Sequence, residues 1–320
     1  MSFTTIGLPP TVTTTVASSV TANSAVTGGN VISDGGAPVI ERGICYNTTG
    51  SPTMADNVIT SGSGIGSFTV NMTGLTGTTT YYVCAYAINA VDTSYGIVES
   101  FTTLFACGAK IKDYDNNEYN TLQLGTQCWM KENLKTTHYA DGTSITLGSS
   151  SSTSSKYRYY PNNNSSNVAT YGYLYNWPAV MNGKTTECVQ GVCPNGWHVP
   201  SSAEWTQLTN YVSSQSQYLC SNNSSYITMA LSSNIGWASS SGTCYHGNNL
   251  SNNNLTGFGA MPAGSAGSSY EGFNQFAGFW TSTLNTSTTA YVRYWWYNSE
   301  SVYSYNNGFY VSRSVRCLKD

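Results

Sequence analysis

The side chains with most potential for nucleophilic or metal chemistry are nine cysteines, three histidines and a thin scatter of carboxylates. The cysteines stand at 45, 84, 107, 128, 188, 193, 220, 244 and 317. A structural zinc site announces itself as close-spaced Cys or His pairs such as CxxC. No such spacing occurs, and His138, His198 and His246 are isolated from one another. That isolation also removes any Ser-His-Asp argument, because no partner is spaced to place a base. Glu187, Glu204 and Glu271 are also far apart in sequence. The run from Asp113 to Tyr119 spaces its oxygens like a calcium loop. It lacks the glycine at the sixth position and the glutamate at the twelfth. It is expected to be an Asx-turn between two strands. No catalytic residue, metal or cofactor is predicted. The cysteines suit disulfides instead: seven of the nine follow residue 106, a density that favours an oxidising location. An odd number leaves at least one thiol free or paired between chains, and spacing alone does not fix the connectivity.

The other chemistry on offer is recognition. Between residues 291 and 310 stand Tyr291, Tyr294, Trp295, Trp296, Tyr297, Tyr303, Tyr305, Phe309 and Tyr310, with Ser and Asn in most of the gaps. Tyr and Trp give large, rigid, amphipathic contact area, and Ser, Asn and Gly give adaptable hydrogen bonding. An aromatic β-core is the competing reading, but a core favours Val, Ile and Leu over Tyr, Asn and Ser. The predicted ligand contacts are therefore Tyr291, Arg293, Tyr294, Trp295, Trp296, Tyr297, Tyr303, Tyr305, Asn306, Asn307 and Tyr310. Alternation along a strand turns some of them inward.

The elements that must position these residues are mainly β. Charged residues make up 8% of the 320 and the net charge is -3, so there is no basic patch for nucleic acid or a membrane surface. No apolar run approaches the roughly 20 residues of a membrane span. The opening stretch lacks the basic and apolar regions of a secretory signal. That leaves a virion component assembled in the cytoplasm, a piece of a longer chain, or export by another route. After a lead-in over residues 1–8, residues 9–104 alternate with period 2. Turn clusters are expected at Thr27–Asn30 and Asp34–Gly36, and the clearest strand is TTYYVCAYAINA. The segments RGICY, GSFTV, LTGTT, YYV and AYA, ending at Ser100-Phe101-Thr102-Thr103, resemble bacterial fibronectin type III-like domains. That resemblance places Cys45 and Cys84 on neighbouring strands, as two buried thiols or a cross-strand bridge. Residues 105–320 form a second, α+β domain. It opens with the Asp113–Tyr119 turn and runs through a Ser/Asn-rich loop over 139–170, with a short aromatic strand near Tyr157–Tyr160. Its best helix follows Pro200: Ser201 and Glu204 have capping-box spacing, and Trp205, Leu208 and Val212 share a face. A weaker helix is expected over Tyr226–Leu231, then mostly loop over 232–277.

Five ordered blocks carry a further resemblance. They are NTL with LGTQCWMKENL (120–134), YGYLYNW (171–177), CPNGWHVP with Glu204-Trp205, GF with MPAG and FWTS (257–282), and SVRCLKD (314–320). Together they resemble the Fibrobacter succinogenes major paralogous domain, which is similar to C-type-lectin and formylglycine-generating-enzyme folds. The resemblance implies the pairs Cys193–Cys317, Cys107–Cys128 and Cys220–Cys244, with Cys188 left over. It also implies a fixed frame at Phe279–Ser282 and Ser314–Asp320. Some relatives are diversified by retroelements through template adenines. The Tyr/Ser/Asn bias of 291–313 resembles such a variable region, although Trp295 and Trp296 do not follow from an Asn codon. Lectin calcium triplets are absent, and Trp280-Thr281-Ser282 stands where Trp-Asn-Asp would, without carboxylates. No reactive cysteine pair supports oxidase chemistry. The expectation is a non-catalytic binding protein of an extracellular surface or virion. Its ligand is a protein or glycan on another cell or particle, with a homo-oligomer or attachment through the N-terminal domain left open. A filament subunit is the alternative, and a formylglycine-generating-like enzyme a remoter one.

Overall fold

The structure, a computed structural model, describes residues 7–320, so all but the end of the expected 1–8 lead-in lies outside the described residues. The chain divides into two compact units, one ending at Ala106 and the other spanning Cys107–Asp320.

The first unit is a sandwich of two antiparallel sheets. Strands β1 (Thr11–Ser18), β2 (Ser24–Ser33) and β5 (Gly66–Thr73) form one, in the order β1-β2-β5. Strands β3 (Glu41–Asn47), β4 (Asn57–Thr60), β6 (Thr80–Ile88) and β7 (Thr93–Tyr95) form the other, in the order β4-β3-β6-β7, and β8 (Glu99–Thr102) also pairs with β6. Strand β5 shows the period-2 logic plainly. Phe68, Val70 and Met72 are buried while the residues between them face water. They meet Ile44, Val83 and Ala85 of the opposite sheet in one hydrophobic core. The hydroxyl of Tyr81, at the start of β6, accepts the amide of Thr76 at 3.0 Å. This is the corner by which immunoglobulin-like sandwiches fix the entry into that strand.

One expected turn is a strand. Thr27–Asn30 lies in the middle of β2. Its glycines mark close approach: a Cβ on Gly29 would sit 2.5 Å from the Cβ of Ala85 and 2.6 Å from the carbonyl oxygen of Thr13. The cluster at Asp34–Gly36 does turn, with Gly35 and Gly36 at positive φ and the Gly36 amide donating to Asp34 Oδ1. Cys45 and Cys84 face each other across β3 and β6 as two buried free thiols.

The second unit is built from short sheets around an aromatic core. A hairpin of β9 (Ile111–Lys112) and β10 (Glu118–Tyr119) encloses the Asp113 turn. Asp113 accepts from Asn117 and the Tyr119 hydroxyl, and Asp115 from Thr136, Thr137 and His138. Asp113 thus braces the hairpin internally and Asp115 staples it to the 136–138 segment, so the two carboxylates do not converge on a common centre. Strands β11 (Thr121–Leu124) and β12 (Gln127–Met130) join two later strands in a four-stranded sheet, while β13 (Thr146–Leu147), β14 (Tyr157–Tyr159) and β15 (Leu174–Asn176) build another. Two single-turn helices, α1 (Val168–Tyr171) and α2 (Trp177–Val180), flank β15, and β16 (Trp197–His198) leads into α3 (Ser202–Ser213). The capping box at α3 is complete: Ser201 Oγ accepts the Glu204 amide, and the Glu204 carboxylate accepts the Ser201 amide at 2.7 Å. Helix α4 (Thr228–Leu231) precedes the long loop.

The chain ends in β17 (Phe276–Thr286), β18 (Thr289–Trp296), β19 (Tyr303–Gly308), β20 (Ser312–Arg313) and β21 (Leu318–Lys319). Strands β17-β18-β19 form an antiparallel sheet, β20 pairs with β15, and β21 lies between β12 and β16. Trp129, Trp205, Phe258, Phe279 and Trp295 are all fully buried and share one cluster. Arg316 is buried among them. Its guanidinium lies 4.6 Å from the centre of the Phe258 ring and donates to the carbonyls of Met130, Phe258 and Gly259 and to Asn133 Oδ1. Every donor direction but one edge is thereby used, which is how a charge survives in an apolar core. Bridges join Cys107 to Cys128, Cys193 to Cys317 and Cys220 to Cys244, the three pairs that the resemblance implies. Cys188 is free and exposed.

Candidate functional site

Strand β18 sorts the aromatic run by parity. On the side towards α3, Arg293 Nη2 donates to the Ser202 carbonyl and to Thr206 Oγ1, each at 2.7 Å. Trp295 is fully buried, with its indole N–H on Ser232 Oγ at 2.8 Å. These two residues are therefore not ligand contacts. Arg293 anchors the helix to the sheet, and Trp295 fills the core. Tyr291 and its cross-strand partner Asn306 are half-buried on the same side, and Tyr297 packs against the edge of the core.

The opposite side carries Tyr294 and Trp296 of β18 with Tyr303, Tyr305 and Asn307 of β19. The register places Tyr303 beside Tyr294, Tyr305 beside Val292 and Phe276 beside Trp296. Ring centres lie 4.8 Å apart for Phe276 and Trp296, 5.7 Å for Tyr294 and Tyr303, and 6.4 Å for Tyr294 and Tyr305. Trp296, Tyr303, Tyr305 and Tyr310 are exposed.

All of these rings except Tyr303 border a cleft with two adjoining lobes that share Ser265, Glu271, Asn307 and Arg313. The aromatic lobe, about 210 Å³, adds Phe276, Tyr294, Trp296 and Tyr305. The polar lobe, about 200 Å³, adds the Gly267–Ser269 turn, Tyr310 and Val311. Arg313 lies where the lobes meet. Its Nε and Nη2 donate to Asn307 Oδ1 at 3.1 and 2.9 Å, and its guanidinium stacks 4.9 Å from the centre of the Phe276 ring. Its Nη1 is buried with no partner. Burial lowers the Arg313 guanidinium to about 10, opposed by the charge of Glu271, so it stays a cation at neutral pH. The Glu271 carboxylate accepts the Ser269 hydroxyl at 2.7 Å. The cleft thus combines flat aromatic faces with one cation that has a spare donor and one carboxylate that has a spare acceptor.

Of the predicted contacts, Tyr294, Trp296, Tyr303, Tyr305, Asn307 and Tyr310 gather on or beside this cleft, while Arg293 and Trp295 do not. Sequence reasoning missed Phe276, Ser265 and Arg313 and left Glu271 as an isolated acid. Only Arg313 had a local signal, since it lies within the Tyr/Asn-rich segment.

Among curated proteins none matches the chain. Among solved structures it is similar to the sensor domain of the anti-sigma factor RsgI4 in Pseudobacteroides cellulosolvens. That match has 22% identity and a TM-score of 0.26, and covers 31% of this chain and 98% of that one. It is also similar to the chicken CNTN1 FN1-FN3 domains, at 13% identity and a TM-score of 0.24, covering 30% of this chain and 32% of that one. Neither likeness speaks to ligand or partner. No helix among the described residues is long and apolar enough to cross a membrane, and three disulfides fit an oxidising, extracytoplasmic setting. The aromatic core, the Cys193–Cys317 clasp and the capped helix all fall within residues 122–319, which match the Fibrobacter succinogenes major domain, and the chain belongs to that family.

Proposed function

We propose that this is a non-catalytic binding protein of an extracellular or virion surface, whose C-type-lectin-like second unit presents the β18–β19 face and its cleft to a protein or glycan ligand. One observation carries the reading: Trp296, Tyr303, Tyr305 and Tyr310 are exposed around a cleft whose buried Arg313 Nη1 has no partner. Exposed rings of this kind supply hot spots, and an unpaired buried donor is most readily satisfied by an acceptor on a ligand. Sugar rings stack on such faces without a metal, and so do protein side chains. The sandwich unit serves as a spacer or attachment module. Residues 291–313 are read as a region open to adenine-linked diversification. The inward Arg293 and Trp295 then belong to the fixed frame.

Two measurements test this. Labelled protein is applied to a glycan array and to intact bacterial cells, beside a Trp296→Ala/Tyr305→Ala variant. The reading expects signal that the variant loses; binding untouched by the double substitution overturns it. Repeated sequencing of the locus should show changes at adenines in the codons for outward residues. An invariant segment would remove the diversification part alone.

A further inference from the structure

Three residues scattered in sequence meet away from the aromatic cleft. Cys188 follows α2, and its amide donates to Ser282 Oγ of β17 at 3.0 Å. His198 closes β16, and Glu204 lies in the first turn of α3. One ligand atom from each lies within 4.8 Å of the others. His198 Nε2 is 3.1 Å from Glu204 Oε1, and Cys188 Sγ is 3.3 Å from Glu204 Oε2. Zinc bonds of about 2.0–2.3 Å put neighbouring ligands in a tetrahedral site about 3.2–3.8 Å apart. The His198–Glu204 spacing is close to that before any metal enters, and the Cys188 thiol already touches the same carboxylate through its other oxygen.

The geometry points to a zinc site formed by Cys188 Sγ, His198 Nε2 and Glu204 Oε1, with a fourth position open to water or an incoming ligand. Three features support it beyond proximity. His198 Nδ1 lies 2.8 Å from Asp320 Oδ1, the carboxylate–histidine arrangement that fixes the tautomer and leaves Nε2 free to ligate. Glu204 divides its labour: Oε2 accepts from the Ser201 amide and hydroxyl in the helix cap and from the Cys188 thiol, while Oε1 meets only His198, so one oxygen is available without breaking the cap. The scaffold is also clamped. Strand β21 pairs with β16, and the Cys193–Cys317 bridge ties the chain just before β16 to the chain just before β21. Cys188 is the one exposed free cysteine among the described residues, so metal enters without unfolding. Thiolate, imidazole and carboxylate together select zinc over hard cations. On binding, the Cys188 thiol gives its proton to solvent as the zinc–sulfur bond forms.

The test uses the full chain stripped with chelator and titrated with Co²⁺, then Zn²⁺. Expected are a thiolate-to-cobalt charge-transfer band saturating at about one Co²⁺ per chain, its loss on adding Zn²⁺ and its absence in Cys188→Ser. Zn²⁺ should also protect Cys188 from maleimide, located by peptide mapping. Asp320→Asn should weaken cobalt binding about 10–100-fold without changing the far-ultraviolet spectrum. The inference is overturned by any of three results: no charge-transfer band, a band that persists in Cys188→Ser, or maleimide labelling of Cys188 that Zn²⁺ leaves unchanged. The last would make His198 a histidine bridged between two carboxylates and nothing more.

Discussion

Trp295 and Trp296 are adjacent in sequence and lie on opposite faces of β18. Trp295 is fully buried against Phe279, with its N–H spent on Ser232. Trp296 is 38% exposed and touches Phe276 at the lip of the cleft. The same division runs through the arginines. Each leaves its Nη1 unpaired, but Arg293 spends Nη2 on binding the sheet to α3, whereas Arg313 lines the cleft. One residue type therefore serves two purposes a strand position apart, and parity decides which. The display proposed for the outer face needs a frame that does not depend on the displayed side chains, and the inner face of this sheet provides one.

The largest expected effect falls on the inner face. Trp295→Ala removes a fully packed indole and should cost about 3–5 kcal/mol, read as a lower urea midpoint of the second unit. A loss under about 1 kcal/mol would mean that the two faces do not divide as described. Next comes the clasp. Cys193→Ser/Cys317→Ser opens a link 124 residues apart in sequence and should cost about 2–5 kcal/mol. The sandwich has no bridge among its described residues, so reductant should lower the second unit's transition and leave the first where it was. Equal shifts in both would contradict the separation.

How much of this was legible depended on the range of the interaction. The α3 cap was readable because Ser201 and Glu204 recognise each other within one turn. Strand β5 was readable because every second residue is apolar. Thr27–Asn30 was misread because glycine signals both a turn and a close approach, and only the Ala85 side chain on the facing sheet distinguishes them. Composition marked 291–310 as aromatic but not its parity, which is set by α3 arriving from 91 residues earlier. The cleft was hidden for the same reason: Ser265, Glu271 and Arg313 meet only because β20 pairs with β15 and the 265–271 loop folds over it. The Cys188–His198–Glu204 cluster escaped the spacing rules because its ligands come from three elements.

A smaller handle on the frame is pH. Burial alone would raise the Asp115 carboxyl, but the Thr137 amide, His138 and the Thr136 and Thr137 hydroxyls hold it down to about 2. A folded value below the unfolded value of about 3.9 stabilises the native state above that value, and the gain disappears as pH falls through about 2. The contribution should be about 2 kcal/mol at pH 6 and near zero by pH 2. Asp115→Asn should remove it, so wild type and variant should differ most near neutrality and converge in acid. A difference that stays constant with pH would assign the effect to packing.

The smallest stability effect belongs to the outer face, where it sharpens the comparison most. Trp296→Ala gives up partial burial and one ring contact, so it should cost about 1 kcal/mol or less. If the cleft binds as proposed, the same substitution should cost about 2 kcal/mol in affinity for whichever ligand the array or cells reveal, roughly 30-fold in Kd. Against Trp295→Ala the two readouts should cross: the inner tryptophan governs the urea midpoint and the outer one governs Kd. Arg313→Met should follow Trp296→Ala for a ligand that places an acceptor on Nη1, and leave Kd unchanged for one held by the rings alone. If instead Trp296→Ala unfolds the unit as severely as Trp295→Ala, both faces are core and the display surface must be sought elsewhere.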